Sequence, residues 1–246
     1  MELQVIDSAG RVPAFVFASI MTSYPDEAFV QNLNALLQDP DLHQQLDGLD
    51  SAKWNVLREK LEQLLSNPKL IEDVRSDYID LFDRGRQANP LYETEYSRNR
   101  TLVKSHDLVD IAGFYKAFGL ETGQEGVQPE MVDHVSVELE FYSLLLMKYL
   151  YCLDSSDLQG QEIILDAQKK FLNSHLGRFV GAIAQRPGVS GNHFYSLIFE
   201  TVKTLVKAEC ERLEVQPDLV SWTGEKEQTE EEIACGGSAC QLPGAK

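Results

Sequence analysis

Asp133 and His134 stand side by side in the stretch 128–141, QPEMVDHVSVELEF. An acid beside an imidazole can hold a proton, a metal or a cationic ligand. His134 and Glu138 are i, i+4 neighbours if the stretch is helical, so the carboxylate is expected to hold the ring. Glu130 and Asp133 add negative charge where the helix dipole favours it. A second dyad is His106-Asp107. A His-Asp pair with a distant His and Asp is the pattern of a metal-dependent phosphohydrolase, and His43 upstream with Asp154 or Asp166 downstream would have to complete the set. The rival reading is a surface histidine beside an exposed acid, because those partners fall in segments that read as surface or flexible. A third pair is Cys235 and Cys240, in CGGSAC. Two thiols can bind metal or form a disulfide, but two ligands are too few for a structural zinc site. The sequence has no GxxxxGK[ST], GxSxG, HExxH or CxxC motif, and no acid three residues before any histidine, so nucleotide-loop, serine-hydrolase, zincin and di-iron chemistries lack their signatures.

Helices must position these residues. Val135, Leu139, Tyr142, Leu146 and Leu150 recur in steps of four, three, four and four, one face of a helix. Pro129 is expected in its first turn, and the helix should run to about Leu153. The same spacing predicts helices over 11–22 (with the core helix starting near Pro13), 26–38, 51–66, 69–83, 101–119, 161–185 and 191–213. Ser51 is a plausible N-cap, Asp39-Pro40-Asp41 reads as a turn, and Gly119 as a stop. Residues 82–100 have a different texture, with Gly85, Pro90 and clustered charge and tyrosine. Either they form a solvated loop whose charges pair locally or they carry function. No segment alternates as a half-buried strand would. The expected fold is therefore all-α: a single-domain helical bundle over 1–214, followed by an acidic, flexible tail over 215–246.

Composition narrows the partners. The chain of 246 residues is 43% hydrophobic and carries a net charge of −17. An acidic surface repels phosphates, so no nucleic acid is expected, and cationic peptides are favoured. Cys152 and Cys210 lie in helical patterns and read as buried small hydrophobes, which suits a reducing cytoplasm. No apolar run reaches the length of a membrane span. The 12–21 run reads as a core helix and not as a signal segment.

Three stretches in this order carry a family resemblance: Tyr78-Ile-Asp-Leu-Phe82 with Asp83-Arg-Gly85, then Pro90-Leu-Tyr-Glu-Thr-Glu-Tyr96, then Pro129 to His134 with Glu138-Leu-Glu-Phe141. The chain resembles the TorD/DmsD/NarJ family of molybdoenzyme assembly chaperones over roughly residues 10–213. The resemblance implies a TorD-like, all-helical cytoplasmic protein without catalysis of its own. It would bind the N-terminal leader, often a twin-arginine signal, of an apo catalytic subunit, and hold that subunit until molybdopterin guanine dinucleotide is inserted. It implies a monomer or a helix-swapped dimer. No cofactor is expected; weak guanine nucleotide binding rests on the resemblance alone. Carried over residue by residue, the peptide groove would use Asp133 and His134, with Pro90, Tyr92 and Tyr96 in the same region. The residue types fit such a ligand: Glu130, Asp133, Glu93 and Glu95 would supply an acidic rim for guanidinium groups, Tyr92, Tyr96, Phe141 and Tyr142 aromatic faces, and Glu138, beside His134, completes the expected peptide site. Arg84, Arg86, Arg98 and Arg100 either pair with those acids when the site is empty or face an anionic part of the client.

Overall fold

The structure is a computed structural model and describes residues 10–96, 103–120 and 131–220. Among these residues it is all-α. The helices are α1 (Arg11–Thr22), α2 (Glu27–Leu36), α3 (Pro40–Ser66), α4 (Pro68–Tyr78), α5 (Val103–Phe118), α6 (Val135–Asp154), α7 (Leu158–Ser174), α8 (Leu176–Ala184), α9 (Pro187–Gly191) and α10 (His193–Arg212). A π-turn over Ile79–Asp83 continues α4, and a 3-10 turn over Glu93–Tyr96 precedes α5.

α6 is the pillar. α1, α7 and α8 pack on it, and its buried side chains lie on more than one face: Val135, Glu138, Leu139, Phe141, Tyr142, Leu145 and Leu146 are all within the interior. Phe15 of α1 meets Tyr142 with ring centroids 4.6 Å apart. On another side Phe141 packs 4.8 Å from both Phe171 and Tyr115. Each such aromatic contributes apolar burial of a few kcal/mol. Phe141 and Tyr142, expected to line a groove, lie on faces of α6 covered by its neighbours, and both have 0% exposure.

Several predicted boundaries shift for local reasons. The expected turn at Asp39-Pro40-Asp41 is a helix start: the Asp39 carboxylate accepts the Asp41 N–H, and Pro40 occupies the first turn. α3 then kinks at Asp50, which leaves the helical region at φ −159°, ψ 87°. Asp50, and not Ser51, caps the second half by accepting the Lys53 N–H. α5 ends as expected, with Gly119 at φ 75° and the Leu120 N–H returned to the Tyr115 carbonyl. The predicted single helix over 161–185 is two, broken at His175 (φ −130°, ψ −100°). The Arg186-Pro187-Gly188 stop opens the short α9, because proline suits a first turn. Cys152 and Cys210 are buried free thiols. Residues 215–220, expected to begin the tail, lie along the body: Val220 donates its N–H to the Arg178 carbonyl. The rest of the expected tail, with Cys235 and Cys240, lies outside the described residues.

A buried charge network ties the two ends of the bundle to α6. Glu209 of α10 meets Arg11 of α1 at 3.0 Å, Arg212 at 2.6 Å, and the Tyr142 hydroxyl, which donates at 2.9 Å. Burial pushes the Glu209 carboxyl up, but the Arg212 and Arg11 guanidinium groups outweigh it and hold the group below its ordinary range. Glu209→Ala removes the carboxylate that neutralises the buried Arg11. It should cost about 3–5 kcal/mol at neutral pH. Since the folded pKa is depressed, the contribution is complete above pH 4.5, the ordinary Glu value, and is lost as pH falls through the folded pKa. Urea denaturation of the wild type and the variant across that range measures both the gap and its closing in acid.

Candidate functional site

The segment Leu91–Tyr96 is strapped across the start of α6. Tyr92 and His134 form an antiparallel bridge. The Glu93 N–H donates to the Asp133 carbonyl at 2.9 Å, and the Val135 N–H to the Leu91 carbonyl at 2.9 Å. The Asp133 carboxylate accepts the Thr94 hydroxyl at 2.6 Å and the Thr94 N–H at 3.3 Å. Pro90 is buried in the same strap, and its carbonyl accepts the Tyr96 hydroxyl at 2.7 Å. Residues 89–96 of this irregular region are thus packed backbone and not a solvated loop. A further close approach fixes its entry: a Cβ on Gly188 would come within 2.5 Å of the Asn89 side chain.

This geometry corrects the expected start of α6. The helix begins at Val135, not at Pro129, and His134 is its N-cap, with extended backbone at φ −73°, ψ 136°. His134 Nδ1 accepts the Ser136 N–H at 3.2 Å and faces the Ser136 hydroxyl at 2.7 Å. It does not meet Glu138, as i, i+4 spacing had suggested, because His134 lies outside the helix. Burial, then the charge of Arg86, pushes its pKa down to about 3, so the ring is neutral with its proton on Nε2.

Asp133 and His134 are each only 1% exposed, and Glu93, Glu138 and Tyr96 are buried with them. Asp133, Glu93 and Glu138, expected at the acidic rim or beside it, thus form an interior cluster that positions the strap. Tyr92 and Glu95 are half-buried. Arg86 lies over the Tyr92 ring, 4.2 Å from its centroid, and Arg84 pairs with Asp80 at 2.8 Å. Glu130, Arg98 and Arg100 lie outside the described residues. An open groove of about 470 Å³ lies elsewhere, among Lys116, Phe118, Lys148, Tyr151 and Ile163 of α5, α6 and α7.

The residue that sequence reasoning missed is His175. It sits at the α7–α8 break with its ring between two carboxylates, Nδ1 3.0 Å from Glu93 and Nε2 3.1 Å from Asp110. Phe171 and Phe114 flank it at 5.3 Å and 5.8 Å between centroids. Burial opposes its charge, but the hydrogen bonds and fields of Glu93 and Asp110 more than compensate, and its pKa rises above 6.5. Both ring nitrogens then donate, an imidazolium held by two acids. The signal was present: a histidine inside an apolar stripe, among Asn173, Ser174 and Gly177, all weak helix formers. Arg178 approaches the other Glu93 oxygen at 3.7 Å. Glu138 is wholly buried, and neither of its oxygens receives a hydrogen bond. Burial, then Glu93 and Asp133, pushes its pKa well above the ordinary value.

The phosphohydrolase set does not assemble. His106 is exposed on α5, Asp166 pairs with Lys170 at 2.7 Å, and His43 Nε2 meets the Leu37 carbonyl at 2.9 Å. Among the described residues no three His, Cys, Asp or Glu side chains are grouped to hold a metal.

Comparison with known families finds one model, described as the nitrate reductase delta subunit, matching residues 43–185, more than half of the chain. No curated protein matches the sequence.

His175→Gln tests the imidazolium. A pKa raised in the fold contributes stability that is complete below the unfolded value of 6.5 and fades as pH rises through the folded value. The variant should lose about 1–3 kcal/mol near pH 6, the range for hydrogen bonds to a charged group. The deficit should shrink under alkaline conditions, as read by urea denaturation at a series of pH values.

Proposed function

The chain belongs to the nitrate reductase delta subunit family, whose members are assembly chaperones for molybdoenzymes and work with nitrate reductase-type catalytic subunits, and we propose that it binds the N-terminal leader of such a subunit in its apo state. On this reading the chain catalyses nothing itself. It works in the cytoplasm, holds the client for insertion of molybdopterin guanine dinucleotide, and releases it for export or membrane attachment. Among the described residues no helix is long and apolar enough to cross a membrane.

The leader would dock on the outer face of the strap. Tyr92 and Glu95 would touch it, while Asp133, His134, Glu93, Glu138, Pro90, Tyr96, Phe141 and Tyr142 hold that face in place from within. Glu130 belongs to the same proposed region. The observation that carries this reading is the guanidinium of Arg86 stacked on Tyr92. The ring already serves as an arginine platform, and a leader arginine needs an aromatic face beside a carboxylate. The chain's net charge of −17 favours approach of a cationic leader.

The test uses the full chain and a synthetic peptide with the N-terminal sequence of the catalytic subunit that co-purifies with it from the native host. Calorimetry should show binding. Loss of one cation–π contact, about 1 kcal/mol, should weaken affinity roughly fivefold in Tyr92→Ala. Glu95→Ala should weaken it further. Binding that is indifferent to both substitutions places the leader elsewhere on the protein; no binding of the peptide at all refutes leader recognition.

A further inference from the structure

We propose that Glu138 is protonated in the folded protein and that its proton, shared with Glu93, is a latch holding the Glu93–Tyr96 strap against α6. The geometry requires a proton there. Glu138 is 0% exposed, and neither of its oxygens has a hydrogen-bond donor. A carboxylate in that position would forfeit its hydration with nothing in return. Its neighbours deepen the problem. Glu93 lies within hydrogen-bond reach, and Asp133 adds a further negative field. On Glu93, His175 takes one oxygen, Oε2, and Oε1 lacks a hydrogen bond. A neutral Glu138 resolves both deficits at once: its O–H donates to Glu93 Oε1, which Arg178 approaches only at 3.7 Å, and the charge of an ionised Glu93 is balanced by the imidazolium of His175.

Every element around the pair fits this assignment. α5 contributes the Tyr115 hydroxyl, which donates to the Val132 carbonyl, and the acids Asp107 and Asp110. The turn before α6 contributes Asp133, held by Thr94, and the neutral His134. The α7–α8 break contributes His175, and α8 contributes Arg178; both face Glu93. α6 itself adds Glu140 near Tyr115. From α1, Arg11 is engaged at Glu209, and from α7 the buried Gln168 is neutral. From the turn after α4, Arg86 lies over Tyr92 and acts on His134, while His175 and Arg178 face Glu93, so Glu138 is left to its proton. Ionising Glu138 would set two carboxylates against each other across the joint between strap and helix. The strap would be expelled, and with it the outer face formed by Tyr92 and Glu95. The latch is a property of the free chain and holds whether or not a leader binds there.

The sign follows from the burial. The unfolded chain ionises Glu138 near 4.5 and the folded one only at much higher pH, so proton loss favours unfolding across that window. Glu138→Gln keeps the shape and a donor while removing the titration. The folding constant of the variant relative to wild type should rise about tenfold per pH unit through the window. A ratio that stays flat overturns the proposal. Infrared spectroscopy of the wild type supplies an independent reading that does not need the variant to fold. A protonated-carboxyl stretch should persist at neutral pH and decline in alkali, in step with faster amide exchange at Glu93 and Thr94 beyond the intrinsic pH effect. Its absence at neutral pH also overturns the latch.

Discussion

A helix with little solvent face constrains everything placed on it. α6 is packed by α1 along one side and by α7 and α8 on others, so each buried polar group on it must be neutral, capped or paired. Tyr142 answers by donating to Glu209, Ser136 by meeting the capping histidine, and Glu138 by keeping its proton. Charge at such sites is tolerated only where a partner of opposite sign is also brought in, as Arg11 is for Glu209. The bundle is thereby pinned at two levels along α6, one by an ion pair and one by an acid pair.

The second level carries the strap proposed to recognise the client. A two-residue bridge, backbone bonds on both sides of His134, and the His175 imidazolium hold the strap to the α6 start and to α5. His175 reaches both because α7 and α8 break at that residue. A continuous helix would have carried the ring along a regular face and away from one of its two acids. The irregular backbone angle at His175 and the extended angle at His134 are thus two halves of one joint. On the proposed reading, an assembly chaperone would gain from such a joint, since the recognition face would sit on short irregular backbone and not on a rigid helix. Elements of this kind open at lower free energy than the helices that carry them.

The Asp-His motif illustrates how burial alters a functional reading. Adjacent acid and imidazole suggested a rim for a cationic leader. In the fold, Asp133 spends its carboxylate on Thr94, and His134 spends its ring nitrogen on the helix end. Both are structural supports of the surface beside them. What that surface offers outward is half-buried Tyr92 and Glu95, with Arg86 already resting on the ring. If a leader docks there as proposed, the internal arginine on the platform would be something to displace, which would tune affinity downward and suit a partner that must later let go.

By itself the sequence determined the helical class, most helix spans and the identity of the core, because apolar spacing and proline or glycine punctuation are local signals. Leu139, Tyr142 and Leu146 were legible as one buried face, and Gly119 as a stop, from neighbours a few residues away. The same local rule failed at the start of α6, where His134, expected inside the helix, is committed instead to a strap 42 residues upstream: Tyr92 against His134. It also failed at His175, which is paired with Glu93 and Asp110 from 82 and 65 residues away. Those partners are fixed by which helices pack on which, and no spacing rule reports that. Tertiary structure alone decided that the acids of this region lie inside, and hence that one of them must hold a proton: the cost of a charge depends on how much water and how many donors surround it, and both are set by the packing of segments distant in the chain.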